Sequence, residues 1–574
     1  MYRQDKNYDE AIKCYKSALR LDKDNFQILR DMALLQMQVR QLDGALETRK
    51  RLIFIRPSSP FNWISAIITA HLAGLVCEAI ELTDIYMNLF QQLQYNNDEL
   101  LYYKCMVLME GKFYPQALSC LEGFKKQTST KYLELKGIKK IFFGSFNVLA
   151  NCLLSLDSFK DAMPIIDQLV EKNPENMTYL SWAIGTIVKL DEDMDSFIAK
   201  IISKSQLGSF AMLPLLPPKW RLTLLAQIFE SALMSSPQGL FFILRDLLKQ
   251  DEVADLVRSI LEKLEPNFSV FVFTANFCHF MGNFEEAFQA VCSALSSKPD
   301  CFELLELKSN ILIDLDRTLE ALDELKEKKD SFIGDKNAAS AYVKLLIRHG
   351  SISMAQEIAA SFIQKSTFQQ NIMDLHEMQA NWYLNEMADR MFKDGKYQDA
   401  YCFYRKIESV FAEYVDDQLD FQGFALRRNS LCEYVKMLRF LDADAFKNSY
   451  FNAALLGQLK CLLQFHNMPA DDLACGMDSL TLNKREFVDD LESERKALST
   501  VSKASNLVPE CLRIAKRLLS IDSKCGLNLT YAAKVAIMSN SRLLAQKLKP
   551  FLDSSFEQYK ELSHLSECAD NLIS

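Results

Sequence analysis

Apolar residues in the first eighty positions recur at steps of three and four, the spacing that lines one face of an α-helix. In KNYDEAIKCYKSALRLDKDN (Lys6 to Asn25), Tyr8, Ala11, Tyr15 and Ala18 form such a face between charged neighbours. A shift of 34 residues carries Tyr8 onto Leu42, Ala11 onto Ala45, Ala18 onto Leu52 and Leu29 onto Trp63, and the next shift carries Ala45 onto Ala79. Pro57 stops one of these segments, because it has no N–H to continue a helix, and Gly74 separates two others. The pattern predicts antiparallel helix pairs repeated in phase.

A 34-residue helix-turn-helix period with small residues where the two helices touch is the tetratricopeptide pattern. In its register Ala33 stands at position 8, Ala45 at 20, Leu52 at 27 and Pro57 at 32. Alanine at 8 and 20 lets the helices of a pair approach, while larger residues at 4, 7, 17 and 24 fill the space between pairs. Further copies put Tyr114 and Ala117, Phe159 and Ala162, Phe284 and Ala287, and Tyr397 and Ala400 at positions 17 and 20. Ala150 and Ala388 fall at position 8, Pro174 and Pro299 at 32, and Leu305 and Ala321 continue the Phe284 copy. At least eight units are expected over residues 1–410, with unmatched helical segments between them. The fold class is therefore all-α, a right-handed superhelical solenoid of tetratricopeptide-like pairs, whose concave face serves to bind another polypeptide. Met1 falls at about position 10 of the first unit, so its first helix is missing; either upstream repeats precede it or an atypical N-terminal cap covers the edge, and upstream repeats are the favoured expectation.

Composition narrows the chemistry. Gly (17) and Pro (14) are scarce in 574 residues, which argues against a sheet-rich protein. No two glycines lie closer than Gly137 and Gly144, so G-x-G-x-x-G, G-x-S-x-G and P-loop patterns are absent. The six histidines make no H-E-x-x-H helix, and His376 in LHEMQ reads as a plain helix residue. Among fifteen cysteines the nearest two are Cys292 and Cys301, so there is no C-x-x-C; they read as reduced thiols packed in a reducing compartment. No catalytic residue, catalytic cofactor or metal site is expected. The N-terminus lacks a signal-peptide core, and the uncharged run Ser205 to Pro218 is too short to span a bilayer and is broken by prolines. With a net charge of −9, nothing advertises DNA or an anionic membrane. The reading is a cytoplasmic protein.

Two blocks go beyond a generic repeat. The first is KNYDEAIKCYKSALRLDKDNFQILRDMALLQMQVRQLDGALETRKRLIFIRPSSPFNWISAIITAHL; the second is LHEMQANWYLNEMADRMFKDGKYQDAYCFYRKIE with YVDDQLDFQGFALRRNSLCEYVKML, whose DDQLDF belongs to no repeat consensus. On these residues the chain resembles the auxiliary subunit of the NatA amino-terminal acetyltransferase complex. The resemblance implies a non-catalytic scaffold that wraps a small acetyl-CoA-dependent catalytic subunit of the GNAT fold, shapes its site for nascent chains and docks it at the ribosome. It divides the chain into a repeat solenoid at 1–410, a family-specific helical block at 411–470, a charged linker at 471–505 and a C-terminal helical segment at 506–574. Family members carry a Lys/Arg-rich segment in the corresponding place, whereas Asp471 to Lys503 holds eight acidic and five basic residues. Attraction to rRNA needs clustered positive charge, so this linker is not expected to supply it.

The resemblance also implies a structural inositol hexakisphosphate at the seam with the catalytic subunit. The candidate cations for it are Lys393, Lys396, Arg405, Lys406, Arg427 and Arg428, with Arg405 and Lys406 on one helix and Arg427 and Arg428 on the next but one. Lys136, Lys139 and Lys140, and Lys326, Lys328 and Lys329, rank lower, the latter as a helix end where cations favour the dipole. The alternative function is another tetratricopeptide adaptor, either the auxiliary subunit of a different amino-terminal acetyltransferase or a co-chaperone. Catalysis by the chain itself is not expected, because QLDGAL at Gln41 lacks the last small residue of a CoA-binding turn.

Overall fold

The structure is a computed structural model. It describes residues 2–4, 6–90, 97–127, 136–328, 334–362, 379–428, 430–467, 504–521, 526–539, 541, 544, 546, 548 and 549. The described residues contain helices and no strand. The first are α1 (Tyr8–Leu21), α2 (Phe26–Gln38), α3 (Leu42–Ile55), α4 (Pro60–Leu72), α5 (Val76–Leu89), α6 (Asn97–Glu110), α7 (Tyr114–Gln127), α8 (Lys136–Ser155) and α9 (Phe159–Lys172).

Every position-17 residue read from the sequence opens a helix: Tyr8, Leu42, Tyr114, Phe159, Phe284 and Tyr397. Two residues earlier the chain turns through the left-handed region, with φ between +56° and +84° at Lys6, Arg40, Gly74, Lys112, Asp157, Gly282 and Gly395. All but Lys6, which no described helix precedes, follow the first helix of a pair. At Arg40, for example, the Gln41 N–H reaches back to the Gln36 carbonyl (2.8 Å) and the Arg40 N–H to Met37 (3.2 Å), satisfying carbonyls the helix leaves open. The alanines at positions 8 and 20 are buried where the helices meet: Ala33, Ala45, Ala79, Ala117, Ala150, Ala162, Ala287, Ala388 and Ala400 are all at most 3% exposed. Pro57, Pro174 and Pro299 each lie two residues past a helix end.

The described residues form two compact units. The first comprises Met1–Pro299 together with Asp417–Leu438, and the second Asp300–Asp416 with Arg439–Ser574. In the first unit, Asp417–Leu438 lies on the early repeats. Arg40 donates to Gln418 (2.8 Å), and Leu419 packs on the α1–α2 core. Leu426, Leu431, Tyr434 and Val435 join one apolar cluster with Trp63, Ile64 and Ile67 of α4 and Tyr103 of α6. The helix Leu431–Ala443 begins against Glu99 of α6, whose carboxylate accepts from the Cys432 N–H at 3.4 Å and occupies the positive end of the helix dipole. Burial pushes that carboxyl above the usual range. The face that α2, α4 and α6 present is thus covered by the chain itself.

In the second unit Asn381–Lys393 packs with Ser449–Asn467, as does the start of Tyr397–Arg428 through Tyr401 and Glu408, and Ser449–Asn467 in turn packs with Ala504–Ile521 and Gly526–Met538. No described helix is long and apolar enough to cross a membrane.

Candidate functional site

The helix that carries most of the candidate cations starts as an ordinary second helix of a repeat. Tyr397 opens it, Ala400 is fully buried against the first helix, and Tyr401, Tyr404, Ile407 and Phe411 continue the buried face. It does not stop after fourteen residues. Neither a proline nor a left-handed residue breaks it beyond that point, and the helix runs on to Arg428, 32 residues in all. This corrects one expectation: Arg405, Lys406, Arg427 and Arg428 lie on one helix, not on two.

Its charges are organised around Glu408, which is 8% exposed and sits one turn after Arg405. Glu408 accepts from Arg513 through both oxygens (3.0 and 3.4 Å), from Arg405 (3.0 Å) and from the buried Gln458 amide (3.0 Å). Arg517 approaches to 3.7 Å, and Glu510 returns charge to Arg513 at 2.8 Å. Burial alone would raise the Glu408 carboxyl, but the Arg513 hydrogen bonds and the surrounding cations outweigh it and hold the group below its ordinary value. Arg513 is raised by its bonds to Glu510 and Glu408 despite burial, and Arg517 is lowered, chiefly by burial. One carboxylate thereby ties the helices Tyr397–Arg428, Ser449–Asn467 and Ala504–Ile521 together.

The six candidate cations are placed differently from one another. Arg405 is engaged by Glu408 and lies 3.8 Å from Glu510, so much of its charge is answered inside the protein. Lys406 is half-buried beside it. Lys393 and Lys396 are exposed on either side of the Gly395 turn. Arg427 and Arg428 are exposed at the end of the long helix, in the part that belongs to the first unit; Arg427 bonds the Gly423 carbonyl and Arg428 lies 5.8 Å from the Phe424 ring centre. The structure therefore brings Arg405 and Lys406 together, and Lys393 near Lys396, while the remaining pair belongs to the other unit. Of the lower-ranked lysines, Lys326 is exposed in the last turn of Thr318–Glu327 and Lys328 lies 4.0 Å from Asp300. Lys329 and the side chains of Lys136, Lys139 and Lys140 are outside the described residues, as are His376 and the acidic stretch 471–503.

Sequence reasoning missed two groups of cations. Arg513 and Arg517 stand four apart in CLRIAKRLL, a spacing that places them on one helix face and could have been read. Lys460 and Lys534 come from separate helices and flank the Tyr531 ring at 5.5 and 5.0 Å. They border an open cleft of 420 Å³ whose walls include Phe392, Leu463 and Met538. No spacing in the sequence links these two. Among the described residues no group of His, Cys, Asp or Glu has the geometry of a metal site. The arrangement is suited to holding anionic groups and to fixing helices against one another.

The sequence model described as "N-terminal acetyltransferase A, auxiliary subunit" matches residues 249–506, and a tetratricopeptide-repeat model matches residues 1–39. The mouse protein "N-alpha-acetyltransferase 16, NatA auxiliary subunit" is 29% identical over 87% of this chain and 60% of its own length. The Arabidopsis thaliana "N-terminal acetyltransferase A complex auxiliary subunit NAA15" is 26% identical over 82% of this chain and 55% of its own. The chain thus spans about 60% of the length of the curated mammalian relatives it matches. A chain of the solved "Structure of Naa15/Naa10 bound to HypK-THB" superposes with a TM-score of 0.82 at 21% identity, covering 100% of this chain and 84% of that one. That likeness carries the fold, an all-α solenoid of tetratricopeptide-like pairs. The chain resembles the auxiliary subunits of N-terminal acetyltransferase A over most of its length, and the family's own model matches it across residues 249–506.

Proposed function

We propose that the chain is the non-catalytic auxiliary scaffold of a NatA-type N-terminal acetyltransferase, wrapping and activating a small GNAT-fold catalytic subunit that acetylates nascent chains. The observation that carries this reading is that similarity to NatA auxiliary subunits runs along 87% of the chain, through the repeats and the non-repeat block alike. The solved structure of Naa15/Naa10 bound to HypK-THB, which has the same fold, supports a catalytic partner of that kind here. Mixed with the catalytic subunit of its own species, the chain forms a one-to-one complex that elutes as a single species and acetylates peptides with small first residues. The same chain alone shows no turnover with acetyl-CoA. Separate elution at micromolar concentration, or turnover by the chain alone, would sink the proposal.

The finer parts of the reading are action in the cytoplasm, docking at the ribosome and retention of inositol hexakisphosphate. A polyanion is held by several charge-assisted bonds at once, and the exposed lysines Lys393 and Lys396, with Lys406 one helix on, are the cations of the second unit best placed to supply them. Arg427 and Arg428 form a separate arm of the test. Calorimetry with inositol hexakisphosphate on Lys393→Glu/Lys396→Glu and on Arg427→Glu/Arg428→Glu, with Lys326→Glu as control, assigns the site. Each productive pair weakens binding by roughly two orders of magnitude, at about 1.5–3 kcal/mol per charged hydrogen bond; unchanged affinity in both removes it. Ribosome docking is checked by salt-dependent co-sedimentation, which falls steeply with ionic strength when phosphate contacts dominate.

A further inference from the structure

Within the second unit the helices Asn381–Lys393, Ser449–Asn467 and Gly526–Met538 pack side by side in that order, as the first helices of successive tetratricopeptide pairs do. The open 420 Å³ cleft lies among them, and its two ends differ. At one end Lys460 and Lys534 reach the Tyr531 ring from separate helices, 5.5 and 5.0 Å from its centre. One turn further along each helix, Leu463, Ile537 and Met538 line the same space. An aromatic ring attracts a cation through its quadrupole without cancelling the charge, so Tyr531 positions both ammonium groups and leaves them positive. Among the described residues neither lysine is in an ion pair, whereas Lys308 and Lys447 of the same unit are matched by Glu324 and Asp444. We propose that this cleft binds an extended acidic peptide segment of a partner protein, with two acidic residues at alternate positions and a bulky apolar residue two positions beyond them.

The peptide pattern follows from matching two periodicities. Side chains at i and i+2 of an extended strand point the same way and stand about 6.6 Å apart, a separation that lets two carboxylates share the lysines gathered around one ring. A helical turn advances about 5.4 Å, so the apolar wall lies roughly one more strand step beyond the cations. Leu463, Ile537 and Met538, with Phe392 from the neighbouring helix, give that next side chain an apolar seat. Because the cleft is open along one side, a ligand in it keeps one face in water. An enclosed pocket would bury most of a small molecule, whereas a strand that buries alternate side chains and leaves the others wet fits an open groove. The charge is complementary in one sense only: a basic segment would set its cations against two ammonium groups that have no acidic partner among the described residues. This site stands apart from the assembly proposed above, and its test needs only the chain itself.

The test is fluorescence anisotropy on the purified full chain with the labelled peptides Gly-Glu-Ser-Glu-Ser-Phe-Gly and Gly-Phe-Ser-Glu-Ser-Glu-Gly, which offer the pattern in both chain directions. At least one binds saturably, and its affinity falls as salt rises, because screening shortens from about 10 Å at 0.1 M to about 3 Å at 1 M. Lys460→Met and Lys534→Met each weaken binding roughly tenfold, the loss of about one charged hydrogen bond apiece. Ile537→Ser trims the apolar wall at a residue already 37% exposed and weakens it about fivefold. Lys326→Glu, on the helix Thr318–Glu327 of the same unit, leaves it unchanged. Moving the phenylalanine one position towards the glutamates turns it to the opposite face of the strand and lowers affinity by a similar factor. Melting curves establish that each variant is folded. The proposal is overturned if neither peptide binds at millimolar concentration, if replacing the phenylalanine by alanine leaves affinity unchanged and so reveals a bare anion site, or if both lysine variants bind as the wild type does.

Discussion

Glu408→Gln removes one negative charge from the centre of three guanidinium groups and preserves nearly all of the side chain's shape. The carboxylate accepts from Arg513, Arg405 and Gln458, and only 8% of the residue is exposed. Breaking a fully buried ion pair by neutralising one member costs about 3–5 kcal/mol. Two features lower that figure here. Arg405, Arg513 and Arg517 side chains are 30–38% exposed, so water takes up part of their stranded charge. The new amide also has a partner waiting, because the Gln458 Oε1 is buried with nothing donating to it among the described residues. The expected loss is about 2–3 kcal/mol of local stability. Hydrogen exchange read by mass spectrometry localises it: amides of Ser449–Asn467 and Ala504–Ile521 should exchange roughly 30- to 150-fold faster, with α1–α5 unchanged. The sign with pH is fixed as well. A carboxyl held low in the fold contributes stability above about pH 4.3, its unfolded value, and loses it as the pH falls through the lower folded value. Wild type and variant should therefore converge in acid. Pairing the change with Arg513→Met should recover part of the loss, since an apolar substitute for a buried pair is often neutral. Unchanged protection in Ala504–Ile521 at neutral pH, or convergence on the alkaline side, would refute the reasoning.

The left-handed turns give a graded test by thermal melting. Gly282→Ala, with open space at its Cβ, should cost about 0.5–1 kcal/mol, whereas Gly350→Ala, at φ +100° with Arg390 atoms 3.1 Å from the new carbon, should cost about 1–2 kcal/mol. Asp157→Gly, which relieves a non-glycine residue at φ +56°, should leave stability level or raise it by up to about 1 kcal/mol. Arg49 is fully buried, bonds only the Ser65 carbonyl and Thr69 hydroxyl among the described residues, and is lowered by desolvation to about 10, so it remains charged at neutral pH. Arg49→Met should therefore stabilise the first unit by about 1–3 kcal/mol in urea unfolding; a loss would mean that its two hydrogen bonds outweigh the buried charge.

The helix pairs were legible because their rule is local. Alanine at 8 and 20, an apolar residue at 17 and proline at 32 each act within one 34-residue unit, and Ala45, Tyr114 and Pro174 lie where that rule puts them. The cation site was less legible because it depends on what stands across from each charge. Arg405 looked like a free cation, yet its neighbour Glu408 and the distant Glu510 answer it, and only the nearer of these is visible in a helical spacing. Lys460 and Lys534 meet around Tyr531 through the packing of two helices some seventy residues apart, a relation no local pattern records. The extension of Tyr397–Arg428 past one repeat length was hidden by the repeat rule itself, which predicts a stop at fourteen residues.

The segment Asp417–Leu438 covers repeats made long before it: Arg40 waits 378 residues for Gln418, and Glu99 waits 333 for Cys432. At about 5–20 residues per second of synthesis, Trp63, Ile64 and Ile67 spend on the order of 20–75 s outside the ribosome before their cover emerges. During that interval the newborn chain offers an open apolar strip to any chaperone nearby. Nascent chains stalled before residue 417 should accordingly be captured by such chaperones and cut readily within α2–α4. Chains stalled after Leu438 has cleared the exit tunnel should lose both properties in a single step, as the strip closes.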